Sequence, residues 1–104
     1  MRILFDQGTP VPLRRALKGH TVSTAFEMGW SEFRNGELLD AAENLFDLLV
    51  TTDQNLRYQQ DITGRRLAIL VLPTTSWPRI RNHLAAVTGA IDTINPSDYF
   101  ELEW

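Results

Sequence analysis

The sequence has 104 residues, a length that predicts a single domain spanning residues 1–104. An apolar content of 43% indicates a folded core, and a formal net charge of −3 gives no overall basic field that would favour nucleic-acid binding. A local basic patch or a bound cation can still reverse the sign at one site. The absence of cysteine excludes disulfides, zinc–thiolate sites and thiol catalysis.

The N-terminus and the apolar segments predict a soluble, cytoplasmic protein. Met1 is followed at once by a strand-like run that contains Arg2 and Asp6, a pattern unlike that of a signal peptide. The longest apolar run, Leu67 to Pro73, is too short to span a bilayer. We therefore expect no membrane partner.

The first part of the chain predicts a strand, a short helix and a second strand. The opening apolar run is too short for a helix, and a loop rich in glycine and proline follows it. Leu13 and Leu17 share a helical face, and the segment after Gly19 is β-branched. The predicted bounds are a strand over 2–6, a helix over 13–18, a strand over 20–25 and a loop or single turn over 26–34.

Helices and strands alternate through the rest of the chain. Asn35 or Gly36 is expected to cap one helix and Ser76 another, with Pro78 in the first turn of the second. The predicted bounds are a helix over 37–45, a strand over 47–52, a short helix or lid over 55–61, a strand over 66–72 and a helix over 77–89.

A helix that leads into a strand after a very short turn is typical of a parallel sheet. We therefore predict an α/β fold with a mainly parallel sheet. The strand over 66–72 is apolar on both faces, so it should be central and buried between helix layers. Residues 91–94 and 99–104 could supply a final strand, and the alternation within 99–104 suits a half-exposed edge. That edge is a candidate homodimer surface.

Asp6 and Asp53 each closely follow an apolar strand. Neighbouring parallel strands lie about 5 Å apart, so adjacent strand ends would bring the two carboxylates within reach of one ion. Mg²⁺ and Mn²⁺ prefer oxygen ligands and commonly take one or two carboxylates plus waters. The pair therefore predicts a metal site at the C-terminal edge of the sheet, where ligands bind in open α/β folds. The ordinary alternative is that each aspartate caps a helix.

Three further polar positions extend this candidate site. Glu37 is a third carboxylate, although a carboxylate in the first turn of a helix also favours the helix dipole. One hydroxyl of Thr51 or Thr52 could bond a ligand water or position a phosphate, and β-propensity explains the other. Asn55 is a candidate neutral oxygen donor, with turn formation as the alternative.

Arg14, Arg15 and Arg57 are the candidate contacts to the phosphates of a ligand. Arg14 and Arg15 follow the loop after Asp6, and Arg57 closely follows Asp53. The three arginines could therefore ring the acidic edge and bind a polyanion there. For any one of them, a place on a solvated surface is the ordinary alternative.

The segments ILFDQ at 3–7, NGELL at 35–39 and LVTTDQN at 49–55 together resemble a known family. The chain is similar to compact bacterial PIN-like domains of unknown function, which are related to the Mut7-C and VapC-type toxin PIN domains. The resemblance covers almost the whole chain. It implies a three-layer α/β/α fold and an acidic cluster that binds Mg²⁺ or Mn²⁺ and cleaves RNA phosphodiesters. Many relatives are toxins paired with a small antitoxin.

In this resemblance Asp6 matches the first family aspartate, and Asp53 matches the aspartate after the threonine-rich strand. The middle acidic position falls at Asn35, where relatives often have aspartate, or at Glu37. Asn55 stands where many PIN domains have a further aspartate. The resemblance thus implies that Asp6, Glu37 and Asp53 are the catalytic metal ligands, supported by Asn35, Thr52 and Asn55. Two hypotheses stay open: an endoribonuclease, and a degenerate PIN-like module that binds RNA or a protein partner without cleavage.

Overall fold

Five short strands form one sheet in the computed structural model, which describes residues 1–104. Every neighbouring pair of strands is parallel, and the order is β2-β1-β3-β4-β5. The chain is therefore of the α/β class, as predicted. The strands are β1 (Arg2–Phe5), β2 (Thr21–Thr24), β3 (Leu48–Thr51), β4 (Ala68–Val71) and β5 (Tyr99–Glu101).

Helices cover both faces of this sheet. Successive strand residues point to opposite faces, and both faces are apolar, so each needs a covering layer. One face packs against a 3-10 helix (Val11–Ala16), α3 and α4, and the other against α1 and α2. This arrangement fits the predicted three layers. The α-helices are α1 (Asn35–Ala42), α2 (Leu56–Gln59), α3 (Trp77–Arg81) and α4 (Leu84–Thr93).

The prediction of one continuous helix over 77–89 is wrong, because the segment forms two helices, α3 and α4, with a break between them. The N–H of His83 donates to Ile80 O at 2.9 Å, which closes a tight turn after α3. His83 then leaves the helical conformation, with φ −127°, and becomes the N-cap residue of α4. Ser76 caps α3 as predicted, because its side chain accepts the N–H of Arg79.

Residues 91–94 do not contribute to a strand, because α4 continues to Thr93. Val87 and Ile91 lie four positions apart on one helical face, and both are buried against the sheet. The final strand is β5 alone, which forms an edge of the sheet as predicted. Phe100 on β5 is 49% exposed, in keeping with a half-exposed edge.

Three other boundaries or positions differ from the prediction. The first helix is a 3-10 helix over 11–16, not an α-helix over 13–18, and it has a proline in its first turn. Helix α1 begins at Asn35 with Arg34 as its N-cap residue, so neither Asn35 nor Gly36 caps it. Strand β4 is fully buried and has a neighbour on each side, as predicted, although β3 and not β4 is the middle strand. None of the helices combines the length and the hydropathy needed to cross a membrane.

Candidate functional site

The C-terminal edge of the sheet carries both predicted aspartates, because β1 and β3 are neighbours. In the register of this pair Phe5 lies beside Val50, so the next residues along the two strands are Asp6 and Thr51. The N–H of Asp6 continues the pairing by donating to Val50 O at 3.2 Å. Asp6 is thus fixed to β3, and Asp53 follows two residues beyond Thr51.

The Thr51 hydroxyl connects the two aspartates. It donates to Asp6 Oδ2 and accepts the backbone N–H of Asp53 at 3.0 Å. A second hydroxyl, that of Thr9, donates to Asp6 Oδ1 at 2.7 Å and also lies 2.9 Å from Val50 O. Thr9 and Thr51 are buried, with 3% and 1% exposure, so these contacts hold the Asp6 carboxylate in one orientation.

The Asp53 carboxylate is held by donors from two other segments. Its Oδ1 accepts the backbone N–H of Asn55 at 2.9 Å, and its Oδ2 accepts the side-chain Nδ2 of Asn35 at 2.7 Å. Asn35 Nδ2 also lies 3.4 Å from Gln59 Oε1 on α2. Asn35 therefore belongs to the site as an amide donor, whereas Asn55 contributes its backbone.

Glu37 is engaged at the start of its own helix. Its Oε1 accepts the backbone N–H of Arg34 at 3.0 Å, which satisfies one of the unpaired donors of the first turn of α1. No group of three or more histidine, cysteine, aspartate or glutamate side chains is placed to hold a metal ion. The structure thus does not bring Asp6, Glu37 and Asp53 together as a set of metal ligands.

Asp6 has a perturbed acidity. Burial raises the pKa of its carboxyl above the ordinary value, and the hydroxyls of Thr51 and Thr9 oppose this shift by stabilising the charged form. A half-buried carboxylate with a raised pKa, at the edge of a parallel sheet, is a feature of functional sites as well as of structural networks. A cation beside Asp6 would compensate the cost of burying its charge.

Asp6 is expected to make the fold less stable as the pH rises. The folded chain holds the Asp6 proton more tightly than the unfolded chain does. In the unfolded chain the aspartate pKa is about 4. The stabilising contribution of the protonated form is therefore complete below that pH and is lost as the pH rises through the folded pKa. The free energy of unfolding of wild type, minus that of Asp6→Asn, should fall with pH in urea denaturation.

The comparison with Asp6→Asn is needed because other carboxylates act in the opposite direction. Hydrogen bonds from Arg14 lower the pKa of Glu27, and the backbone N–H of Arg2 lowers that of Asp47. These two groups lose stabilisation as the pH falls. Subtraction of the variant removes their contribution, so a difference that stays level or rises with pH would contradict the role given to Asp6.

Asp6 and Asp53 offer carboxylate oxygens, the type of ligand that a hard divalent cation prefers. Each carboxylate oxygen accepts a hydrogen bond, and an ionised oxygen retains further acceptor capacity. Mg²⁺ commonly binds through one or two carboxylates and keeps several waters, so a third carboxylate is not a requirement. The chain has no cysteine, and the ring nitrogens of His20 and His83 contact Met1 and Arg79 instead of either aspartate, which also favours oxygen-preferring ions.

Two of the three predicted phosphate contacts already have acidic partners. Arg14 donates to both carboxylate oxygens of Glu27, at 3.2 and 2.7 Å. Arg57 Nε lies 3.1 Å from Glu101 Oε1 on the edge strand. Arg15 is exposed and forms no ion pair. Of the three, Arg15 alone presents an uncompensated positive charge.

The residue that sequence reasoning missed is Thr9. Of the two candidate hydroxyls, Thr51 and Thr52, the resemblance implies Thr52, but Thr51 makes the contacts with Asp6 and Asp53. The Thr52 hydroxyl lies against Gly8, where an added Cβ would collide with it. Alignment of the two apolar strands end to end would have placed Thr51 beside Asp6. Thr9 carried no comparable signal, because its role depends on how the loop after β1 turns back to Asp6.

Comparison with known proteins identified no relative: no family model, no curated protein and no solved structure matches the chain.

Proposed function

We propose that this chain is a PIN-like endoribonuclease that uses Mg²⁺ or Mn²⁺. The single observation that supports the proposal is the junction at the C-terminal edge, where Asp6 and Asp53 follow neighbouring strands and share the Thr51 hydroxyl. Two adjacent oxygen-rich side chains of this kind suit a divalent ion that acts on a phosphodiester.

In this proposal Asp6 and Asp53 hold the ion through their carboxylates. When bound, the ion lowers the pKa of a water molecule and neutralises the charge of the phosphate under attack. Thr9 and Thr51 keep Asp6 in place, and Asn35 does the same for Asp53 through its amide. Hydrogen bonds that orient ligands in this way commonly affect metal affinity or activity by about 10- to 100-fold.

Asp53→Asn is expected to lower the rate of RNA cleavage by about 100-fold or more, because loss of a ligand should exceed loss of a partner that only orients it. The measurement is cleavage of a mixed single-stranded RNA with added Mg²⁺ or Mn²⁺, with circular dichroism as a check on folding. Asp92→Asn is the matched control, since Asp92 is exposed on α4 and its replacement changes the net charge equally. Cleavage that persists unchanged in Asp53→Asn, or in EDTA, would refute the proposal.

A non-cleaving PIN-like module is the second candidate function. Its supporting observation is the engagement of Glu37 with the backbone of Arg34, which leaves two carboxylates at the edge of the sheet. Such a module would bind RNA or a protein partner, for example a small antitoxin, without turnover. Wild-type protein that binds RNA but shows no cleavage at any Mn²⁺ concentration would favour it.

A further inference from the structure

We propose that single-stranded RNA binds to a basic face on the side of the sheet covered by the 3-10 helix, α3 and α4. The proposal deepens the proposed function and depends on it for the choice of RNA as the ligand. The basic face is defined by three arginines, one packed tryptophan and a stacked ring pair: Arg15, Arg79, Arg81, Trp77 and His83 with Trp104.

Two cavities on this face are lined by arginine and by no aspartate or glutamate side chain. One measures about 340 Å³, within the size range of small-ligand pockets, and has Arg15 and Arg81 in its wall beside Trp77. The other measures about 440 Å³ and is lined by Arg79, Asn82, His83 and Trp104, together with the loop after β4. The 3-10 helix contacts α3, so the two arginine-bearing elements lie side by side.

The three arginines are exposed and none forms an ion pair, in contrast to Arg14 and Arg57. The reason is visible in the sequence, because residues 7–26 and 62–91 contain no aspartate or glutamate. These two segments supply the 3-10 helix, α3 and most of α4. A chain with a net charge of −3 thus keeps a positive face where backbone phosphates could bind.

Aromatic rings on the same face favour single strands over duplexes. The rings of His83 and Trp104 stack with centroids 4.5 Å apart and planes at 5°. Trp104 is nevertheless 40% exposed, so part of the residue remains available to a ligand. Unpaired bases stack on such rings, whereas the bases of a duplex are already stacked on each other.

The basic face adjoins the turn after Asp6 through the loop after β4. Thr74 lines the larger cavity, and Cγ2 of the next residue, Thr75, lies 3.9 Å from the position that a Cβ would occupy on Gly8. Gly8 belongs to the turn that follows Asp6. A strand of RNA that binds Arg79 can therefore continue across this loop to the acidic edge.

The test is RNA binding without cleavage. The probe is a fluorescently labelled, mixed-sequence single-stranded RNA in EDTA, with fluorescence anisotropy recorded at several salt concentrations. The triple variant Arg15→Gln/Arg79→Gln/Arg81→Gln should bind more weakly, and the slope of log affinity against log salt should fall by about 0.7 for each lost phosphate contact. Trp104→Ala should weaken binding by about fivefold or more through lost stacking.

The matched control is Arg2→Gln/Lys18→Gln/Arg66→Gln, which changes the net charge equally at exposed residues outside both cavities. An unchanged affinity and salt slope in the arginine variant would overturn the inference, as would absent binding in wild type. Equal competition by polyglutamate or by duplex DNA would also overturn it, because the face would then select negative charge alone. Binding without cleavage would contradict the proposed function only.

Discussion

Replacement of Thr51 by valine is expected to lower the free energy of unfolding by about 2–6 kcal/mol. Valine has nearly the shape of threonine but no hydroxyl, so the substitution leaves Asp6 Oδ2 without its donor and the Asp53 N–H without its acceptor. Each buried polar group that loses its partner costs about 1–3 kcal/mol. The measurement is equilibrium denaturation in urea at neutral pH.

Two variants make this expectation specific. Thr52→Val removes a hydroxyl from the adjacent residue, whose side chain forms no hydrogen bond, so it should change the stability by less than about 0.5 kcal/mol. Thr51→Ser restores the hydroxyl and should recover most of the loss. Equal destabilisation by Thr51→Val and Thr52→Val would show that the Thr51 hydroxyl does not connect the two aspartates.

Asn35→Asp is expected to destabilise the metal-free protein and to increase its affinity for Mn²⁺. The amide of Asn35 donates to Asp53 Oδ2 at 2.7 Å, so a carboxylate at residue 35 would face a carboxylate of like charge. The free energy of unfolding should fall by about 1–3 kcal/mol without metal. Mn²⁺ affinity in calorimetry should rise by about tenfold or more, because the number of charged ligands sets such affinities.

The control for this substitution is Asn82→Asp, which adds the same charge beside Arg79 instead of beside Asp53. It should leave Mn²⁺ affinity unchanged. A gain of RNA cleavage in Asn35→Asp but not in wild type would favour the non-cleaving module as the natural state of the chain. Failure of Asn35→Asp to bind Mn²⁺ more tightly would contradict the assignment of Asp53 as a metal ligand.

The parallel sheet and the position of Asp6 could be predicted because they depend on local pattern. Apolar runs too short for helices, separated by helical spacing, indicate strands with crossover connections, and the residue after each run must lie at one edge. These two features follow from the periodicity of the sequence and from the direction of parallel strands. The residue pattern gives Asn35 only as a helix cap, and the resemblance alone implies that it supports the site, where its amide donates to Asp53.

The contacts of Glu37, Arg14 and Arg57 could not be predicted, because each of these side chains has several possible hydrogen-bond or ion-pair partners. The Glu37 carboxylate could reach either the sheet edge or the first turn of its own helix, and in the structure it accepts the Arg34 N–H. Arg14 pairs with Glu27, and Arg57 pairs with Glu101, which lies on β5 near the other end of the chain. Periodicity does not encode such long-range pairings.

The all-parallel sheet also has a consequence for how the protein folds. No two neighbouring strands are joined by a hairpin, so every strand pair requires a long crossover to close before its hydrogen bonds are gained. Asp6 and Thr51 lie 45 residues apart in the chain, yet their contact forms only when β1 and β3 pair. Chains with such distant pairings fold slowly compared with helical bundles. We therefore expect the carboxylate edge to be complete only once β1 and β3 have paired at the centre of the sheet.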